Sequence, residues 1–183
     1  MTGSVCIYGN PVLRKKSELV TAVTDDIRAL ADRMLGIMYA AEGIGLAAEQ
    51  IGQTESVFVL DVPARVDQDK EGRPNNPGVK MPQVFINPEI IGASEETAVA
   101  EEGCLSFPEL YVPVTRPAEV VVRYLDRDGN EQVLNAKGLL ARAIQHELDH
   151  LNGVLLVDHM SVVAKLKNAL QLIKLKKQSR ENL

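Results

Sequence analysis

Two histidines and a glutamate lie close together near the carboxyl end of the chain, in the sequence QHELDHL at 145–151. Their spacing, His146-Glu147-x-x-His150, is the HExxH pattern. Residues four apart on a helix lie on the same face, so both imidazoles can bind one metal ion. Glu147 falls on the apolar side of that helix, where a carboxylate needs a cation or another partner. The pattern indicates a catalytic metal site, although two core histidines and a solvent-reaching glutamate fit the same residues.

A catalytic metal site of this kind needs a third protein ligand and an open coordination position. Cys104, in the segment EGCLS at 102–106, is the candidate. Its thiolate would neutralise one charge of a divalent cation, and Gly103 lets the backbone approach closely. A buried, small apolar side chain is the alternative interpretation of Cys104. The third histidine of the chain, His159, is expected to be structural or exposed.

The helices that must position these residues follow from the spacing of apolar side chains. Apolar residues recur at three- and four-residue steps after Thr24, which predicts an N-capped helix that ends at Gly43. Two further helices are predicted at 138–152 and 162–175, and the first of them carries HExxH.

Strands and loops are predicted from β-branched runs and from turn residues. The Asp-Gly pair within 126–130 indicates a hairpin. The predicted strands lie at 57–62, 84–91, 119–124 and 131–134, and the predicted loops at 43–52, which is irregular, and 63–82, which is exposed. Helices at both ends of a run of strands predict an α+β fold, with a mainly antiparallel sheet packed around a central HExxH-bearing helix and with N-terminal and C-terminal helices.

Length and composition set the broad class of the protein. A chain of 183 residues predicts a single catalytic domain over 1–183, with 161–183 as a C-terminal helical extension. The net charge of -5 argues against DNA binding, which draws on clustered lysine and arginine. The sequence has neither a membrane-spanning run nor the apolar region of a signal peptide, which predicts a cytoplasmic protein without membrane contacts.

Three segments together resemble the peptide deformylase family. They are GIGLAAEQ at 43–50, EGCLS at 102–106 and QHELDHLNG at 145–153, and they occur in the family's order. The resemblance covers most of the chain and is weakest in the 63–82 loop and the C-terminal helix. It implies a bacterial hydrolase that removes the N-terminal formyl group from formyl-methionyl nascent polypeptides and releases formate.

The same resemblance implies roles for individual residues. The metal ligands would be Cys104, His146 and His150, a metal-bound water would be the nucleophile, and Glu147 would be the general acid/base. Fe²⁺ is the physiological ion that the resemblance implies, and Zn²⁺, Ni²⁺ or Co²⁺ could substitute for it. By the same resemblance, Gln50 and the backbone N–H of Leu105 would bind the formyl oxygen, and Gly45 would pair with the peptide backbone. The walls of the pocket for the methionine side chain would be Ile44 and Leu139.

Two regions depart from the family pattern. Glu49 stands where the family usually has proline, and this change could loosen the loop that presents Gln50. Leu110 and Tyr111 lie where some members carry an arginine near the substrate channel. Arg116 is interpreted either as a substitute anchor for the peptide or as an exposed arginine without a specific role.

Two other functions fit parts of the sequence. An HExxH endopeptidase would use the same helix, but its third ligand normally lies downstream, where this chain offers only His159 and Glu181. A relative without catalysis could bind nascent chains or ribosomes through the basic C-terminal segment, although a solvated helix face is the alternative interpretation of that segment. Its basic residues are Lys165, Lys167, Lys174, Lys176, Lys177 and Arg180.

Overall fold

The computed structural model describes residues 5–181. Its helices are α1 (Asp25–Ala40), α2 (Gly138–Leu151), α3 (Val162–Lys167) and α4 (Ala169–Glu181). Its strands are β1 (Gly45–Ala47), β2 (Val57–Leu60), β3 (Gln83–Ala93), β4 (Thr97–Cys104), β5 (Phe107–Pro117), β6 (Glu119–Leu125) and β7 (Glu131–Lys137). Within these described residues, no helix is both long enough and apolar enough to cross a bilayer.

The strands form two antiparallel sheets. Five of them pair in the order β1-β2-β3-β6-β7, while β4 and β5 pair only with each other. The predicted α+β fold with a mainly antiparallel sheet is confirmed.

Helices α1 and α2 cover opposite faces of the five-stranded sheet. Because side chains alternate along a strand, β2 contributes to both cores: Val57 and Val59 pack with α1, whereas Phe58 and Leu60 pack with α2. The apolar side of α2 is therefore buried, and its buried residues include Leu140, Ile144 and Leu151. This packing fixes the helix that carries HExxH against the sheet.

The two-stranded sheet has a core of its own. Side chains of β5 alternate between buried and exposed, and Leu110, Val112 and Val114 face inward. They pack with residues 155–157 and with Leu175 of α4. This core anchors the β4–β5 hairpin, in which Cys104 is the last residue of β4.

The N-terminal segment joins parts of the chain that are far apart in sequence. The backbone N–H of Cys6 donates to the carbonyl oxygen of Gln50 at 2.7 Å, and that of Tyr8 donates to the carbonyl oxygen of Ser106 at 2.8 Å. At Gly9, which has a φ of +114°, an added Cβ would lie 2.8 Å from the backbone of Lys176 in α4. The first described residues thus hold the 48–51 segment, the β4–β5 hairpin and α4 together.

Three local predictions need correction. The 43–52 segment is not irregular, since it contains β1 and a 3-10 turn at Ala48–Ile51. The β4–β5 hairpin was not predicted at all. The third helix is divided at Asn168, and its expected apolar stripe is exposed at Leu166, Leu170 and Ile173. Residues 1–4 and 182–183 of the predicted domain lie outside the described residues.

Candidate metal centre

The proposed ligands from β4 and α2 lie together. One ligand atom each of Cys104, His146 and His150 lies within 4.8 Å of the others. Cys104 Sγ is 3.2 Å from His150 Nε2, and the two imidazole rings have centroids 5.2 Å apart. Sulfur and imidazole donors suit Fe²⁺, Zn²⁺ and similar divalent ions. The residues present therefore fit a three-ligand catalytic metal site.

A buried carboxylate orients the first histidine. Glu102 Oε2 lies 2.9 Å from His146 Nδ1. Burial opposes ionisation of Glu102, but hydrogen bonds from His146 and Arg116 hold its pKa well below the usual range. An ionised carboxylate only accepts hydrogen bonds, so Nδ1 of His146 carries a proton that it donates to Glu102, and Nε2 is the ring nitrogen that would bind a cation.

Arg116 completes this buried network. Its guanidinium donates to both oxygens of Glu102, at 2.6 and 2.9 Å, and its Nη1 lies 2.9 Å from Asp149 Oδ2. Arg142 also donates to Glu102, at 2.8 Å. The interpretation of Arg116 as an exposed residue or as a peptide anchor is wrong, because it is only 5% exposed and its partners are carboxylates of the protein.

His150 is buried, and its environment favours the neutral imidazole. Burial lowers the pKa of His150 well below its usual value, and the nearby charges of His146 and Arg116 lower it further. A neutral imidazole is the form that binds a metal.

Glu147 lies beside the ligand group without a fixed partner. It is buried, and among residues 5–181 no group forms a hydrogen bond with its Oε2. Burial raises the pKa of Glu147 to about 7. A carboxyl group with a pKa near the working pH is suited to both accept and release a proton.

The side-chain amide of Gln50 has a defined orientation. Its Oε1 accepts a hydrogen bond from the backbone N–H of Ala47 at 2.9 Å, and its Nε2 donates to Ser106 Oγ at 3.1 Å. The same nitrogen lies 3.6 Å from Cys104 Sγ. The donor end of Gln50 therefore points toward the ligand group. Sequence reasoning missed Ser106, although it lies in the EGCLS segment.

A cleft of about 550 Å³ opens onto the ligand group. Cys104, His146, Glu147 and Gln50 line it, together with the four residues assigned to substrate binding or to the formyl oxygen: Ile44, Gly45, Leu105 and Leu139. His150 lies beneath this surface, and His159 is elsewhere, paired with Asp149 at 2.8 Å. The expectation that His159 is structural or exposed agrees with this position.

Glu49 is held inside the protein rather than on a loosened loop. It is 0% exposed, and in the described part of the chain neither carboxylate oxygen has a hydrogen-bond partner. Burial raises the pKa of Glu49 to about 8, and the negative charges of Glu147 and Glu55 act in the same direction. The carboxyl is thus mainly protonated at neutral pH.

Replacing Glu49 with leucine should stabilise the protein most at alkaline pH. The pKa of about 8 in the folded state lies above the ordinary value of 4.5. The protonated carboxyl of Glu49 therefore makes its full contribution to the stability of the folded state below about pH 4.5, and this contribution is lost as the pH rises through 8. We expect the Tm advantage of Glu49→Leu to be larger at pH 9 than at pH 5 by roughly 5 to 10 °C.

Thermal unfolding at both pH values measures this difference. Effects of pH on other groups act on both proteins and cancel in the comparison. Glu71→Leu, which changes an exposed glutamate, is the control and should show no such pH dependence. An equal Tm advantage at pH 5 and pH 9 would show that Glu49 titrates normally.

Comparisons with known proteins agree with the geometry. The family model described as Polypeptide deformylase matches residues 3–166. A peptide deformylase from Rhizobium meliloti is 52% identical over 155 residues, which are 85% of this chain and 83% of that protein. One from Mesorhizobium japonicum is 47% identical over 175 residues, which are 96% of this chain and 92% of that protein.

Solved structures are similar over nearly the whole chain. The crystal structure of peptide deformylase from Ehrlichia chaffeensis has a TM-score of 0.85 and 37% identity, and the match covers 98% of this chain and 97% of that one. A structure of the Ehrlichia chaffeensis protein in complex with actinonin has a TM-score of 0.84 at 37% identity, with 97% of each chain covered.

Proposed function

We infer the roles of the site residues from the premise that this chain belongs to the polypeptide deformylase family and is a hydrolase that removes N-terminal formyl groups from nascent peptides. The observation that carries the inference is the meeting of Cys104, His146 and His150 beside Glu147 in one cleft. The family is one of metalloenzymes.

We propose that the cation is held by Cys104, His146 and His150. In the cell the ion would be Fe²⁺, and Zn²⁺, Ni²⁺ or Co²⁺ would be able to replace it. A thiolate ligand is softer than the histidine or carboxylate of other HExxH enzymes, which suits these ions. When bound, such a cation lowers the pKa of its bound water toward about 7 and polarises a carbonyl group.

Glu147 moves the proton in this scheme. Its carboxylate takes a proton from the attacking water, and the carboxyl then gives a proton to the departing amine, so that formate and a free N-terminus are released. The absence of a fixed partner for Oε2 within residues 5–181 leaves that oxygen available for both transfers. General acid–base catalysis of this kind typically contributes about 10²- to 10⁴-fold in rate.

Gln50 and Leu105 stabilise the oxygen of the formyl group as negative charge develops on it. Gln50 offers Nε2–H, and Leu105 offers its backbone N–H next to Cys104. Ser106 keeps the Gln50 amide turned toward the site, because its hydroxyl accepts from Nε2 at 3.1 Å. Losing one donor of this type typically lowers the rate about 10²- to 10³-fold.

The methionine side chain of the substrate would lie against Ile44 and Leu139, both of which line the cleft. Gly45 would pair with the backbone of the peptide. It also has no room for a side chain, since an added Cβ would lie 2.3 Å from Glu147 Oε1 and 2.8 Å from Leu60 Cδ2.

Gly45→Ala should therefore lower kcat for a formyl-Met peptide by about 10²-fold, because displacing a catalytic group by about 1 Å can cost that factor. A steady-state assay of formate release measures the effect. Gly36→Ala is the control, since an added Cβ at Gly36 meets nothing within 4 Å, and it should keep wild-type kcat. Normal turnover in Gly45→Ala would mean that β1 does not constrain Glu147.

The endopeptidase alternative makes a different product. Among residues 5–181 it lacks a downstream third ligand, because neither His159, which is paired with Asp149, nor Glu181 is part of the ligand group. Incubation of a formylated peptide with anaerobically purified protein, followed by mass spectrometry, distinguishes the two activities. Loss of the formyl group alone supports deformylation, whereas internal cleavage would overturn it.

We also propose that the basic C-terminal helices contact the ribosome. Their lysines and Arg180 are all exposed, so they are free to meet a negatively charged surface. The test is co-sedimentation of a fourfold variant, Lys165→Glu, Lys167→Glu, Lys174→Glu and Lys177→Glu. The matched control reverses four exposed lysines elsewhere, Lys15, Lys16, Lys70 and Lys80. Unchanged co-sedimentation of the helical variant would refute docking.

For the whole chain we propose one catalytic domain over 1–183 with a helical extension at 161–183, working in the cytoplasm. The shared core of the hairpin, residues 155–157 and α4 supports treating the extension as part of that domain.

A further inference from the structure

The first turn of α2 is capped by a residue from a distant loop. Lys137 occupies the N-cap position, and its side chain makes no capping hydrogen bond. The first N–H groups of a helix need acceptors from outside the helix. Asp67 supplies one, since its Oδ1 accepts from the backbone N–H of Leu139 at 2.9 Å. This is the bond that an N-cap aspartate at 137 would make.

Two asparagines hold Asp67 in this position. Asn75 Nδ2 donates to Asp67 Oδ1 at 2.8 Å, and Asn76 Nδ2 donates to Oδ2 at 2.6 Å. The Asn76 side chain also pairs with both backbone groups of Lys137, accepting at 3.1 Å and donating at 3.0 Å. A short segment of the 63–82 loop is thereby attached to the end of β7 and the start of α2.

Asp67 is only 4% exposed, although the loop around it is largely exposed. In residues 5–181 no lysine or arginine forms an ion pair with it. N–H groups and the positive end of the helix dipole therefore stabilise the carboxylate of Asp67. The buried carboxylate of Asp67 therefore needs the N–H group of α2 as a donor, and the first turn of α2 needs the carboxylate as an acceptor.

Gly138 shows how closely the loop and the helix approach. It has a φ of +59°, and an added Cβ would lie 2.3 Å from Asn75 Nδ2 and 2.7 Å from Asp67 Oδ1. The next residue, Leu139, is half-buried and lines the cleft. His146 follows Leu139 by seven residues, which is two turns of helix.

We propose that Asp67 is a positioning residue that fixes the first turn of α2, and with it the Leu139 wall of the cleft that receives the first side chain of the substrate. The proposal rests on the proposed function of that cleft. It extends the substrate site to a loop in which resemblance to the family is weakest.

Kinetics of Asp67→Ala test the proposal. We expect the KM for a formyl-Met peptide to rise about fivefold, because the Leu139 wall becomes mobile, while kcat changes less than about twofold because the ligands and Glu147 lie further along α2. Metal content should equal that of wild type. A purely structural role would lower Tm and leave KM unchanged.

Two further variants make the test specific. Asp69→Ala is the matched control, because Asp69 accepts hydrogen bonds from the backbone of Glu71 and Arg73 inside the same loop. It should keep wild-type KM. Lys137→Ser, added to Asp67→Ala, places a local cap at the N-cap position and should restore most of the KM.

An unchanged KM in Asp67→Ala, an equal rise in Asp69→Ala, or no recovery with Lys137→Ser would each overturn the proposal. If Asp67→Ala does not fold, the same measurements are made on Asp67→Leu, which keeps the volume of the side chain and removes both acceptors, with the same criteria. Wild-type protein is assayed in parallel. No formate release from wild type would refute the proposed function itself, whereas normal wild-type turnover with unchanged variant KM refutes only the role of Asp67.

Discussion

Glu147→Gln is expected to keep its metal while kcat for a formyl-Met peptide falls about 10³-fold. The substitution preserves the shape of a buried side chain that has no hydrogen-bond partner for Oε2 among residues 5–181, so the fold should tolerate it. It removes the only group in the scheme that can accept and return a proton, which typically contributes about 10²- to 10⁴-fold. Formate release and metal analysis of the same preparation measure the two quantities.

The control for this experiment is Glu131→Gln, which makes the same chemical change on an exposed position of β7. It should keep wild-type kcat and metal content. If Glu147→Gln retained a large part of the wild-type rate, another group would have to move the proton. If it lost the metal, Glu147 would be acting on the ligands rather than on the water.

Cys104→Ser is expected to lose both metal and activity. A neutral hydroxyl is a poor replacement for a thiolate on a divalent ion, because it is harder and brings no negative charge. Two imidazoles alone leave the ion with too few protein ligands for a catalytic site. We expect less than about one tenth of the wild-type metal content after anaerobic purification and gel filtration, and formate release at the level of the blank.

Cys6→Ser is the matched control, since Cys6 is the other half-buried free cysteine and is not part of the ligand group. It should keep both metal and turnover. A Cys104→Ser protein that retained one metal ion per chain would mean that a different residue is the third ligand.

Helices α1 and α2 and the β6–β7 hairpin could be predicted from the sequence because their signals are local. Thr24 accepts from the backbone of Ile27 as the predicted cap, and the Asp-Gly turn joins β6 to β7 as expected. The hairpin of β4 and β5 gave no such signal. Its β5 strand contains Pro108, Pro113 and Pro117, which argue against a central strand but are tolerated where a strand has a free edge.

The two proposed histidine ligands were predicted from residue type and spacing, and Cys104 was assigned through the family resemblance, whereas the residues that orient the histidines were not predicted. Glu102 and Arg116 meet only because β4 and β5 pair, and Glu102 contacts His146, which lies 44 residues later in the sequence. The alternation of Leu110, Val112 and Val114 did contain a usable clue. It places Arg116 in the same inward row, and an inward arginine requires a carboxylate partner.

The contacts of the N-terminal segment have a consequence for synthesis of the protein on the ribosome. Tyr8 bonds to Ser106, and Gly9 lies against Lys176, which is made 167 residues later. At about 5 to 20 residues per second, that interval is roughly 8 to 33 s. During this time Tyr8 and Gly9 lack their final neighbours. The N-terminal segment therefore completes its contacts only after α4 has been translated.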